Sequence, residues 1–129
     1  MDFKLKSQSA MEFLILTGIL LFAFLVFYLI IFERVEMLNN RRAIILGEDV
    51  ATKVQKEIIL ATKVSDGYQR RFSLPETLNG MDYNISISGK ELTVKIPKTE
   101  IVKNIPNVIG NISNGSNIIQ KKNGFIYLN

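Results

Sequence analysis

Two carboxylate pairs lie close enough in sequence to share acid–base work: Glu33 with Glu36, and Glu48 with Asp49. Such work needs one carboxyl held protonated by burial beside another left ionised. Both pairs stand instead on charged stretches, with Arg34 inside the first and Lys53 and Lys56 just after the second. That is the pattern of a solvated face. The chain has no Cys and no His, which removes disulfides, Cys/His zinc sites, thiol nucleophiles and the commonest general base. No phosphate-cradling glycine loop accompanies the carboxylates, so no catalytic, cofactor or metal residue is assigned and the chain does not read as an enzyme.

Glu12 is a different kind of carboxylate. It sits at the front edge of Met11–Phe32, a stretch with no other charged residue. An ionisable group at the centre of a membrane helix costs about 2.5–3.5 kcal/mol, less near an end, and calls for a partner. In the first helical turn its charge also favours the helix dipole. The remaining candidates are three N-x-S sequons at Asn84, Asn111 and Asn114, which are sites for N-glycosylation on an extracellular domain. Asn114 also belongs to an Asn-Gly turn signal.

The element that must position Glu12 is the apolar block itself. From Phe13 to Phe32 there is no charge, and twenty helical residues span about 30 Å, the hydrocarbon thickness of a bilayer. A soluble helix of that length would carry a polar stripe, so this one reads as a single transmembrane span. The block is too long for an ordinary secretory signal, and Glu33-Arg34-Val35-Glu36 follows it rather than a small-x-small cleavage site. Lysines before it and arginines after it give no positive-inside bias.

Beyond the block the helix is expected to continue to about Asp66. Val50, Val54, Ile58 and Ala61 form one apolar face, which Ile44, Ile45, Leu46, Ile59, Leu60 and Val64 widen. Asp49 and Lys53 are spaced as an i, i+4 ion pair. Asn39-Asn40 and Gly47 are weak points, and Ser65-Asp66-Gly67 supplies the stop.

After Gly67 the period changes to two. Closing a two-residue turn at Gly89-Lys90 sets Ile87 against Leu92, Ile85 against Val94 and Tyr83 against Ile96. Asn123-Gly124 predicts a second hairpin with Ile119 facing Leu128, and Asn114-Gly115 a third, joining Val108–Ile112 to Ile118. Arg70–Leu74 reads as an edge strand, while 97–107 carries no assignable state. About five antiparallel strands result, too few to stand alone, and the helix of 44–64 is their cover. The fold class is thus α+β: a long N-terminal hydrophobic helix followed by a small antiparallel β-sheet domain packed on the C-terminal half of the helix. Lys and Arg exceed Asp and Glu only by 16 to 12, scattered without exposed aromatics in a basic groove, so nucleic acid is not a partner.

The front of the chain resembles a known family. Lys6-Ser7-Gln8-Ser9-Ala10-Met11-Glu12-Phe13-Leu14-Ile15-Leu16 is similar to the processing site of archaeal type IV pilin-like proteins with class III signal peptides, Gln-x-Ser-x-Glu-x-x-x-Leu. Gln8, Glu12 and Leu16 match, and Ala10 stands where the family has Ser. The resemblance implies a leader at 1–7, a long helix at 8–66 whose 11–32 segment is first transmembrane and then filament core, and a β-rich extracellular domain at 67–129. It implies cleavage between Ser7 and Gln8 by a prepilin peptidase, and assembly through the Gln8 ammonium and Glu12 of neighbouring copies. The implied partners are copies of the chain in a helical filament, membrane lipid before assembly, and a pilus assembly ATPase with its membrane platform. The precursor would be single-pass with a cytoplasmic N-terminus, the product an extracellular adhesive filament. The alternative is a single-pass membrane protein that never polymerises and presents its β domain as an extracellular binding module.

Overall fold

The computed structural model describes the backbone of residues 2–129 and side chains from Ser7 onward. The side chains of the expected leader, Lys4 and Lys6 among them, lie outside the described residues. The chain divides into two units, Met1–Leu38 and Asn39–Asn129, and helix α1 (Asp2–Lys63) contributes to both.

The first unit is helix alone. Every side chain from Ser7 to Leu38 is exposed, including Phe22 at 69% and Leu20 at 69%. Each large apolar side chain left in water forgoes about 1.5–3 kcal/mol of burial, so a stretch of this length calls for lipid or for protein neighbours. The helix is long and apolar enough to cross a membrane, near the N-terminus, as in a single-pass membrane protein. Thr17 is no obstacle, since its hydroxyl donates to the Phe13 carbonyl at 2.8 Å.

In the second unit the helix continues unbroken to Lys63. The weak points at Asn39-Asn40 and Gly47 leave no gap. At Gly47 a Cβ would stand 2.7 Å from Ile96 Cδ1 and 2.9 Å from Ile101 Cδ1, so the missing side chain is what lets two strands approach the helix. Ala43, Val50, Ala51, Val54, Ile58 and Ala61 are buried. Ile45, Leu46, Ile59 and Leu60 are exposed, Leu46 at a groove it shares with Pro75, Thr77 and Leu78, and the covered stripe is narrower than the apolar composition predicts. Lys53 does not pair with Asp49 but reaches across to donate to the Ser73 carbonyl at 2.7 Å.

Nine strands follow among the described residues, not five: β1 (Gln69–Leu74), β2 (Thr77–Leu78), β3 (Met81–Asp82), β4 (Asn84–Ser88), β5 (Glu91–Ile96), β6 (Thr99–Asn104), β7 (Ile109–Gly110), β8 (Gly115–Lys122) and β9 (Phe125–Leu128). They make a four-stranded sheet in the order β1-β8-β9-β7, a β2-β3 ribbon and a β4-β5-β6 sheet. The central hairpin has the expected register, Ile87 opposite Leu92 and Ile85 opposite Val94. Gly89 alone of its turn has positive φ, 60°, which suits type II′. Tyr83 lies just outside that ladder, buried, with its hydroxyl donating to the Pro75 carbonyl. The Asn123-Gly124 hairpin also forms as expected, both residues at positive φ and Ile119 opposite Leu128.

The Asn114-Gly115 hairpin does not form. Gly115 is the first residue of β8, whose other edge is taken by β1, and β7 pairs in parallel with β9. Part of the unassigned 97–107 stretch is β6, which turns back on β5 through Pro97-Lys98. The two sheets and the helix share one core, with Val54 and Ile58 from α1, Ile119 and Leu128 from the larger sheet, and Leu92 and Val94 from the smaller. This is an α+β fold in which the helix covers the sheets.

Candidate functional site

The motif residues all lie on the first unit. Gln8, Glu12 and Leu16 recur every four residues, which places them on one face of α1, with Ala10 turned away from it. Ser7 and Gln8 are exposed and helical, with no turn between them. Gln8 Nε2 stands 3.5 Å from Glu12 Oε1, a long amide-to-carboxylate contact one turn apart. Among the described residues this amide is the polar group placed against Glu12. Within the chain it is the side-chain amide of Gln8 that meets the carboxylate.

The other carboxylates are distributed as their neighbours suggest. Glu33, Glu36, Glu48 and Asp49 are all exposed. Among the described residues no three of His, Cys, Asp and Glu gather closely enough to hold a metal. Glu57 is the carboxylate that sequence reasoning passed over: its side chain is 12% exposed, with Oε1 3.6 Å from an Arg70 guanidinium nitrogen. It joins α1 to β1.

The three sequons differ in availability. Asn84 is exposed on β4, an outer strand of its sheet, and Asn111 is exposed in the segment after β7. Asn114 is exposed but occupied: its Nδ2 donates to the Tyr83 carbonyl at 3.0 Å and approaches the Glu76 carbonyl at 3.5 Å. The nitrogen a glycan would need is already tying two loops together.

A residue absent from the expected sites holds this region. Asn117 is 0% exposed, and its Oδ1 accepts from the Ser113 amide at 3.0 Å and from Asn129 Nδ2 at 2.9 Å. Its Nδ2 donates to the carbonyls of Ser113 at 2.7 Å and Gly115 at 3.2 Å. Every hydrogen-bonding position of that amide is used, as burial demands. The signal for it was period two: Asn117 shares the inward side of β8 with Ile119. Comparisons with protein-family models, curated proteins and solved structures find no match for the chain.

Proposed function

We propose that the chain is a structural subunit of an archaeal type IV pilus-like filament, as its resemblance to that family implies. A prepilin peptidase cuts between Ser7 and Gln8, and the subunit waits in the membrane as a single-pass protein. The assembly ATPase and its platform then move α1 from lipid into a bundle of identical helices. Apolar area exchanges one set of contacts for another, so the transfer need not lose burial. A head-to-tail contact that does not close grows a fibre. The β domain then faces the environment, where it adheres and carries glycans at accessible sequons.

The observation that supports this most is the placement of Gln8, Glu12 and Leu16 on one face at the front of a helix exposed on every side. N-terminal sequencing of membrane-extracted protein tests the cut: the proposal expects Gln8 first, and a mature chain starting at Met1 overturns it. Glu12→Ala is expected to abolish filaments while cleavage and insertion persist.

One observation favours a second reading. The Glu12 carboxylate has an amide against it within its own chain. A single-pass protein presenting an extracellular β module, never polymerising, could keep that carboxylate at headgroup level without a second copy. It predicts an intact leader, and no filaments under electron microscopy from either the unaltered chain or its Glu12→Ala variant.

A further inference from the structure

We propose that the outer face of the four-stranded sheet, the side turned away from α1, binds an acidic polysaccharide. Side chains alternate strictly between the two faces here. On β8 the inward residues Asn117 and Ile119 are buried, and Ile118, Gln120 and Lys122 point the other way. The ladders bring partners to them on the same side: Arg71 opposite Ile118, Gln69 opposite Gln120, and Tyr127 opposite Gln120 from β9. Ile109 stands beside Tyr127 across the parallel pair.

Three chemistries are interleaved on this face. Ring and aliphatic surface comes from Tyr127, Phe125 (57% exposed) and Ile109 (46% exposed). Side-chain amides, each able to donate and accept, come from Gln69 and Gln120. Positive charge comes from Arg71 and Lys122, and no Asp or Glu stands on these strands' outward positions. A cavity of about 240 Å³ lies among them, lined by Ile118, Gln120, Lys122, Tyr127 and Asn129. That volume holds a ring-sized group, not an extended side-chain bundle.

A continuous apolar patch would fit a protein partner, and isolated cations would fit any anion. The mixture here fits neither as well as it fits a sugar chain. Carbon–hydrogen faces of a pyranose lie against the tyrosine ring, amides bridge adjacent hydroxyls, and a guanidinium takes a carboxylate in two parallel hydrogen bonds. Two cationic side chains, with no Asp or Glu side chain pointing outward on these strands, favour carboxylate-bearing sugars over neutral ones. Such a ligand gives the adhesive role above its chemical class, and it rests on that reading for its cellular setting.

The test uses the full chain in detergent micelles, where no filament is required, titrated calorimetrically with polygalacturonate and with its methyl-esterified form. Loss of filaments and loss of sugar binding are therefore separately visible. The expected result is saturable binding of polygalacturonate, weakened about tenfold or more by esterification and by Arg71→Gln with Lys122→Gln. Lys56→Gln with Lys95→Gln, a charge-matched change elsewhere, is expected to alter affinity less than about twofold. Tyr127→Leu, which keeps apolar packing but removes the ring, is expected to weaken binding about fivefold or more. Unchanged melting of the β unit in each variant keeps these readings independent of folding. Absence of saturable binding, equal affinity for the ester, or equal losses in the two double variants overturns the proposal. So does self-association in micelles that the same face variants disperse, because a second copy would then be what covers the sheet.

Discussion

Lys121 caps the end of the long helix: its Nζ donates to the carbonyl of Val64 at 2.8 Å and also to that of Thr62 at 2.9 Å. The last carbonyls of a helix have no intrahelical partner, and a cation there meets the negative end of the dipole. Asp66 adds a reverse tie, its Oδ1 accepting from the Gly124 amide at 3.0 Å. The β8–β9 hairpin is thus fastened to the helix end by charge as well as by core packing. Lys121→Met, which keeps the aliphatic stem, is expected to lower the stability of the β unit by about 1–2 kcal/mol, and Lys121→Arg by less. Near-ultraviolet dichroism in a Tyr28→Phe background, where the remaining tyrosines all lie in the β unit, reads this during denaturation.

Gly110 is held where no other residue fits. Its φ is 111°, and a Cβ would lie 2.0 Å from the Leu128 carbonyl oxygen. Gly110→Ala is expected to cost about 2–4 kcal/mol and to detach β7 from β9. Gly115, at φ 85° with open space around it, is the comparison: Gly115→Ala should cost about 1–2 kcal/mol, from backbone strain alone. Amide exchange at Ile109 and Leu128 distinguishes the two, because only the first variant should lose protection at the parallel pair.

Asn114 and the other sequons make opposite predictions. In a glycosylating host, mass spectrometry should find sugar on Asn84 and Asn111 and leave Asn114 bare. Asn114→Gln should destabilise the β unit by about 1 kcal/mol through the lost contacts to Tyr83 and Glu76, with no change in glycan mass. Sugar found on Asn114 would contradict the occupied amide.

Tyr83 gives the fold an alkaline limit. Burial raises its hydroxyl above the ordinary value of 10.0. The folded chain therefore holds this proton longer than the unfolded chain does. The resulting stability is intact below a pH of about 10 and is lost as pH rises from there through the folded-state value. Tyr83→Phe should remove this part of the alkaline loss, while costing about 1 kcal/mol at neutral pH for the missing bond to Pro75. Unfolding midpoints of both chains across the alkaline range test it, the difference between them shrinking as pH rises.

The elements readable beforehand were those whose pattern survives in isolation. The Ile85–Val94 hairpin has apolar residues on both strands and a glycine at the turn, so a single register satisfies both faces. β6 escaped because Ile101 is its one buried side chain, with Val102 exposed among charged neighbours. The Asn79-Gly80 turn, both residues at positive φ, was not read, because the strands it joins are two residues long and show no period. Asn114-Gly115 misled for the converse reason. The dipeptide has turn chemistry, yet the Asn114 amide is spent on Tyr83, Gly115 opens β8, and the segment just before that strand is held by the buried Asn117 side chain. At the front of the chain the motif picked out Gln8, Glu12 and Leu16, and the helix puts them on one face. The contact of the Gln8 amide with Glu12 needed rotamers, which spacing does not supply.

Between Phe13 and Phe32 one side of the helix differs from the rest. Thr17 and Tyr28 are eleven residues apart, close to three full turns, so they fall on one line, roughly opposite the edge that carries Glu12. The remaining circumference is apolar. A helix packed beside this one would meet polar atoms on that side and none on the others, so the segment carries an angular mark of its own. Thr17 spends its hydroxyl on the Phe13 carbonyl, which leaves the Tyr28 hydroxyl to tell one azimuth from another.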